Sequence, residues 1–162
     1  MPTSAPTDID RDLTFLLAQA AHALQTELTA GLAALGISPR GHCVLHRALP
    51  GDLTQSQLAE LCNLDKTTMV VTIDELEREG LAERRPSSTD RRARIIAVTD
   101  AGKDITERGQ AIVTRIHGDV LATLPGAERQ AFVDALVHLV DGRLATPAQC
   151  EKPVRRRAPR TP

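Results

Sequence analysis

The stretch LDKTTMVVTIDELEREGLAERRPSSTDRRARIIAVTDAG, residues 64–102, decides the fold. Asp65 is a predicted N-cap for a helix whose apolar side chains recur at helical spacing and that ends at Gly80. Two segments that favour strands follow, residues 81–85 and 94–99, on either side of the turn sequence PSSTD. A helix followed by a two-stranded hairpin with an arginine-rich tip is therefore predicted.

Helix signals divide the preceding sequence into three further helices. A long amphipathic helix is predicted from about residue 8 to Gly36, and a short one occupies about residues 38–49. A capping box at Thr54 begins a third helix, which only Asn63-Leu64 separates from the fourth. Two helices joined by so short a turn and followed by a hairpin predict a winged helix-turn-helix.

Two long helices are predicted after the hairpin, at about residues 99–121 and 128–144, because Pro125-Gly126 interrupts the helical pattern. The lead at residues 1–7 and the proline- and arginine-rich tail at residues 146–162 are expected to be disordered. The predicted fold class is mostly α (α+β), in the order of four helices, a β-wing of two strands and two helices.

Charge is distributed unevenly along the chain. The 162 residues are 41% hydrophobic and only 1% aromatic, so the core must be aliphatic. The formal net charge is −1, which by itself argues against a nucleic-acid partner. Residues 84–94, however, contain five arginines and only one acidic residue, Asp90. This local basic segment is suited to contacts with phosphates.

Other protein classes find little support in the sequence. No signal-peptide pattern opens the chain, and no run of about 18 apolar residues occurs, so we expect a cytoplasmic protein without membrane contact. Cys43, Cys62 and Cys150 lack metal-ligand spacing, which favours free, inert thiols in a reducing compartment. The chain has no P-loop, GxSxG, HExxH or dinucleotide-binding turn, so neither an enzyme nor a cofactor is expected.

The deciding stretch resembles the MarR family of transcription regulators. That family's sequence pattern is matched in order by Leu76-Glu77, Gly80-Leu81, Asp90, Arg92, Val98-Thr99 and Gly102. The resemblance implies a homodimer held by helices in residues 8–36 and 99–145, with residues 37–98 as the DNA-binding lobe. It further implies a regulator, expected to be a repressor, that binds a palindromic operator in double-stranded DNA and responds to a small-molecule effector.

The candidate DNA-binding residues lie on the helix pair and the wing. They are Gln55, Ser56, Lys66, Thr67, Thr68, Val70, Val71, Arg84, Asp90, Arg91, Arg92 and Arg94. By the resemblance, Asp90 pairs with Arg92 to hold the wing. Arg84 and Arg85 alternate along a strand, so at most one of them is expected to reach DNA.

Val70 and Val71 depart from the family, whose members often carry polar residues or Arg there. Hydrogen-bond readout of bases is therefore expected to be thin, and contact with thymine methyls or shape readout through the wing would have to replace it. A place for both valines in the core remains the alternative.

The candidate effector site is formed by His22, Arg40, His42 and His46. The resemblance places a ligand between the dimerisation helices and the winged lobe, and a phenol or carboxylate would suit Arg40. A metal shared by His42 and His46, with His22 or His117 brought in by folding, is the weaker alternative, because no Cys or carboxylate stands at matching spacing. An oxidant- or metal-sensing regulator of the same fold, or a winged-helix interaction module without DNA binding, are the alternative functions.

Overall fold

The computed structural model of the chain describes residues 12–87 and 93–148. It contains six α-helices and one hairpin in the predicted order, so the predicted fold class is confirmed. The elements are α1 (Leu13–Leu32), α2 (Pro39–Ala48), α3 (Gln55–Leu61), α4 (Lys66–Arg78), β1 (Ala82–Pro86), β2 (Arg94–Val98), α5 (Asp100–Ala122) and α6 (Gly126–Asp141). The chain divides into two compact units, residues 1–118 and 119–162.

Local hydrogen bonds set the helix boundaries. Asp12 caps α1 by accepting from the Phe15 N–H at 2.7 Å, so the helix begins later than residue 8. Ser38 caps α2, and Thr54 forms the predicted capping box with Gln57 at the start of α3. The polar residues that the sequence marks as caps therefore cap α2 and α3.

The turn between α3 and α4 is fixed by backbone bonds. Asn63 adopts a positive φ of 50°, and the Leu64 N–H donates to the Ala59 carbonyl at 2.8 Å. The same turn recurs after α4, where Gly80 has a positive φ of 71° and the Leu81 N–H donates a hydrogen bond to the Leu76 carbonyl at 2.8 Å. Both ends of α4 are thus held in place by its own flanking turns.

The wing, β1 and β2 with their connection, is antiparallel and runs in register from Ala82 opposite Val98 to Pro86 opposite Arg94. The free edge of β2 also pairs with the segment before α3, because the Ile96 N–H donates to the Leu53 carbonyl at 3.0 Å. The wing is therefore tied to the helix pair through its backbone.

An aliphatic core fills the first unit. Its fully buried side chains come from every helix between α1 and α4 and from β2, namely Leu32, Val44, Leu45, Leu58, Met69, Ile73 and Ile96. Phe15 is about half exposed on α1, so the prediction of an aliphatic core is confirmed.

The end of α4 is joined to the start of α5 by Thr99 and Gly102. The Thr99 hydroxyl donates to the Gly80 carbonyl at 2.7 Å and accepts from the Gly102 N–H at 3.0 Å. A Cβ on Gly102 would lie 2.0 Å from the Leu81 carbonyl oxygen, so only glycine fits at this joint.

The second unit contains α6, which begins at Gly126 and ends at Asp141, earlier at both ends than the predicted 128–144. Arg129 folds back to donate to the Leu124 carbonyl at 3.0 Å and to the Ala122 carbonyl at 3.1 Å, at the end of α5. Phe132, Val137 and Val140 remain exposed on α6. The helix therefore offers an apolar surface.

Candidate nucleic-acid interface and adjoining cavity

Helix α4 has one buried and one exposed face. Met69, Thr72, Ile73 and Leu76 point into the core. The opposite face carries Lys66, Thr67, Val70, Val71, Asp74, Glu75 and Arg78. Val70 is 40% and Val71 49% exposed, so the alternative that these valines belong to the core is wrong. Met69 and Ile73 occupy the core-facing positions of the same turns.

The first turn of α4 is organised by Asp65. Its carboxylate accepts from the Thr68 N–H at 2.9 Å and from the Thr68 hydroxyl at 2.6 Å, and these bonds lower the pKa of Asp65. The Thr68 hydroxyl therefore donates its proton to Asp65 and not to a partner outside the helix. Thr67 presents an exposed hydroxyl in the same turn, beside the exposed Lys66.

The two candidate DNA-binding residues of α3, Gln55 and Ser56, lie in the first turn of that helix. Ser56 is exposed there, whereas Gln55 is half-buried. The two residues belong to the turn that the Thr54 capping box fixes.

Two of the wing arginines are held by acidic side chains. Arg84 donates to Glu77 and, at 2.7 Å, to Asp74, and its own N–H donates to Glu77 at 2.8 Å. These bonds brace β1 against α4, and with its side chain only 26% exposed Arg84 is not part of the proposed DNA surface. Arg85 pairs with its neighbour Glu83.

Arg94 is exposed at the outer end of β2, opposite Pro86. The other predicted wing residues, Asp90, Arg91 and Arg92, lie outside the described residues, as do the lead, the tail and Cys150.

A cavity of about 540 Å³, here called the α2 cavity, opens between α1, α2 and α5. It brings together three of the four predicted effector residues, Arg40, His42 and His46. His22 is exposed and does not line the cavity, which corrects the prediction; it lies one helical turn before Gln25, the first α1 residue of the lining.

The predicted effector set leaves out several further lining residues of the α2 cavity, namely Gln25, Arg47, Gln110, Val113 and His117, of which only His117 was considered, as a metal ligand. The last three follow one face of α5 at spacings of three and four. That periodicity was the available signal, but only the fold shows which cavity the face borders.

His42 connects α2 to α5. It is buried, and its Nε2 lies 3.1 Å from the Thr106 carbonyl oxygen, so this nitrogen carries the proton. Burial lowers the pKa of His42. A Cβ on Gly109 would lie 2.4 Å from the ring of His42, so the imidazole fits there only because residue 109 is glycine.

Nε2 of His42 is already hydrogen-bonded to Thr106, so a metal could be bound only through its Nδ1. The ring of His46 stacks on that of His42 with centroids 6.1 Å apart. Across residues 12–87 and 93–148, no three His, Cys, Asp or Glu side chains are grouped closely enough to hold a metal ion.

Two thiols border the same cavity. Cys43 and Cys62 both line it and are half-buried, and neither is in a disulfide. Burial, together with the neighbouring Cys43, raises the pKa of Cys62 to about 12. The thiolate is the reactive form of cysteine, so this shift favours the expected inert thiol.

In the part of the chain that the structure describes, no helix combines the length and the apolar character needed to cross a bilayer.

Comparison with known proteins supplies independent evidence. A family model described as MarR family matches residues 35–93. The chain is similar to a MarR-family transcriptional regulator from Rhodococcus sp. RHA1, at 27% identity and a TM-score of 0.73, covering 85% of this chain and 96% of that one.

Two structures of CouR are also similar. CouR from Rhodococcus jostii RHA1 bound to p-coumaroyl-CoA matches at 27% identity and a TM-score of 0.73, over 92% of this chain and 100% of that one. The transcriptional repressor CouR bound to a 23-mer DNA duplex matches at 24% identity and a TM-score of 0.73, over 87% and 100% of the two chains.

Proposed function

We propose that the chain is a winged-helix regulator of the MarR family, namely a homodimeric transcription repressor that binds a palindromic operator and responds to a small-molecule effector. The observation that carries the proposal is the exposed face of α4, whose first turn presents Lys66 and Thr67 beside a wing that carries Arg94. The dipole of α4 adds partial positive charge at this end, which the carboxylate of the Asp65 cap partly offsets.

Duplex DNA fits this surface by shape as well as charge. A single α-helix fits the major groove, and the wing can then reach the adjoining backbone or minor groove. Ser56 on α3 is available for a phosphate contact, and Arg91, Arg92 and Arg94 supply the cations of the wing. The DNA-bound structure of CouR supports this class of partner.

A second copy of the chain is the expected partner of the apolar surfaces on α1 and α6. On α1, the large apolar side chains of Leu13 and Phe15 are 60% and 51% exposed. In the second unit, Val140 is 60% exposed. Two-fold pairing would present two copies of α4 to half-sites about 34 Å apart, hence a palindrome.

The effector is expected in the α2 cavity. A volume of about 540 Å³ suits a small organic ligand, and the walls combine apolar side chains such as Leu28 and Leu32 with the cations Arg40 and Arg47. An aromatic acid or phenol meets both requirements, because its ring fills the apolar part and its anionic group pairs with guanidinium. CouR bound to p-coumaroyl-CoA supports a ligand of this kind.

The proposal is tested with duplexes selected from a random pool by the full-length chain. Replacing both Arg92 and Arg94 with Ala should weaken binding and lower the salt dependence of the affinity by about two phosphate contacts. Arg108→Ala, which removes an exposed α5 arginine paired with Asp104 at 3.2 Å, is the matched control and should leave both quantities unchanged. Binding of every duplex at one common, non-specific affinity would refute the proposal.

A further inference from the structure

Val70 and Val71 occupy an unusual place for apolar side chains. They are adjacent and exposed on α4, and neither belongs to the hydrophobic core cluster. Valine is a weaker helix former than alanine, lysine or glutamine, so helix stability does not favour two of them here. The fold leaves these side chains without a packing role, which points to contact with a partner.

The charges around the valines show which part of α4 can approach DNA. One turn earlier, at four-residue spacing, the same face carries Lys66 and Thr67. One turn later it carries Asp74 and Glu75. Asp74 is paired with Arg84, but Glu75 repels phosphates, so the first two turns of the helix are better suited to DNA than the third. Val70 and Val71 are the last residues of that segment.

The chemistry of valine limits what it can recognise there. Its side chain has no hydrogen-bond donor or acceptor, so it gains nothing from the polar edges of guanine, cytosine or adenine. The major groove presents one apolar group, the C5-methyl of thymine. Successive helical residues project about 100° apart, so the two valines face different base pairs.

We propose that Val70 and Val71 make the operator half-site specific for thymine by contacting C5-methyl groups in the major groove. This inference rests on the proposed function, because it names the bases that the DNA-binding helix prefers. It also separates methyl contact from shape readout, since shape readout does not require the methyl group itself.

The test removes only that methyl group. In the tightest duplex selected by the full-length chain, each thymine is replaced in turn by deoxyuridine, and affinity is measured by fluorescence anisotropy. One or two positions in each half-site should weaken binding by about fourfold each, the weight of one buried methyl group. Where the position is changed to cytosine, 5-methylcytosine should bind about fourfold more tightly than cytosine.

Protein variants assign the effect to the valines. Val70→Ser and Val71→Ser remove the γ-methyl groups from exposed positions, and each should reduce the thymine-to-deoxyuridine ratio to about one at its own base. Val120→Ser makes the same change on an exposed valine of α5 and should keep the ratio.

Two results would overturn the inference while leaving the proposed function intact. The first is specific binding with a ratio of one at every thymine, and the second is a ratio that survives in the double variant. If no duplex is bound above the non-specific level, the proposed function and this inference both fail.

Discussion

Replacing Gly102 with Ala should destabilise the whole winged lobe, because it forces apart the joint between α4 and α5. The added Cβ would lie 2.0 Å from the Leu81 carbonyl oxygen and 2.8 Å from Cγ1 of Val98. Real Cβ atoms stay at least 3.0 Å from such neighbours, so the start of α5 must move by about 1 Å. Both neighbours belong to the segment that carries the wing.

The magnitude follows from three contributions. Overpacking costs about 1–3 kcal/mol, and loss of the hydrogen bond from the Thr99 N–H to the Leu81 carbonyl, 3.1 Å long, costs about 1 kcal/mol. The higher helix propensity of alanine returns up to about 1 kcal/mol. The net loss is about 2 kcal/mol, which lowers the melting temperature by about 4–8 °C for a chain of this size.

Thermal unfolding followed by circular dichroism at the helix band measures this change. Gly118→Ala is the matched control, because it makes the same substitution on the same helix where a new Cβ meets nothing within 4 Å. It should raise stability by up to about 1 kcal/mol. Equal melting temperatures for the two variants would refute the reasoning, since the predicted effects have opposite signs.

Three further predictions concern charged and titratable groups. Arg84→Ala should lower the free energy of unfolding by about 1 kcal/mol without changing the salt dependence of DNA binding, whereas Arg94→Ala should lower that salt dependence and leave stability unchanged; the reverse assignment would contradict the bracing role. The free energy of unfolding should fall as the pH drops below 6.5, because burial lowers the pKa of folded His42 and the unfolded chain then takes up the proton more readily. Urea titrations at several pH values should show a smaller fall for His42→Asn, and an identical fall would exclude His42 as the source. Iodoacetamide should modify Cys62 far more slowly in the folded chain than in urea at pH 7, because its pKa of about 12 leaves almost no thiolate, and peptide mass spectrometry that found equal rates would contradict this.

The elements of this fold were predictable because their signals are local. Ser38, Thr54 and Asp65 each bond to a backbone N–H three residues later, so a capping residue and its partner lie within one turn of sequence. The glycine at position 80 adopts the left-handed conformation that its place after a helix requires. The start of α6 was placed less well, because this helix has no side-chain cap, and the start of α1 was placed too early although Asp12 caps it by an equally local bond.

The site was less predictable because its partners are distant in sequence. In the sequence Arg84 resembles the other arginines that are expected to contact DNA. In the fold its guanidinium donates hydrogen bonds to Glu77 and Asp74, across the turn that follows α4. Cys43 and Cys62 are 19 residues apart and show no motif, but the fold places both on the wall of one cavity. Only the packing of helices determines such neighbours.

The packing of α2 suggests how a ligand in the α2 cavity would affect DNA binding under the proposed function. Adjacent residues of this helix face different partners: Gly41 approaches α4, since a Cβ added to it would lie 3.4 Å from Cδ2 of Leu76, and His42 contacts Thr106 on α5. Because a close-packed interior transmits displacements instead of absorbing them, a ligand that moves α2 also moves α4. In a dimer the two copies of α4 must match half-sites at a fixed spacing, and a small shift in each subunit changes the distance between them by the sum of both shifts. Repression relieved by a ligand therefore requires no contact between that ligand and the DNA-binding surface.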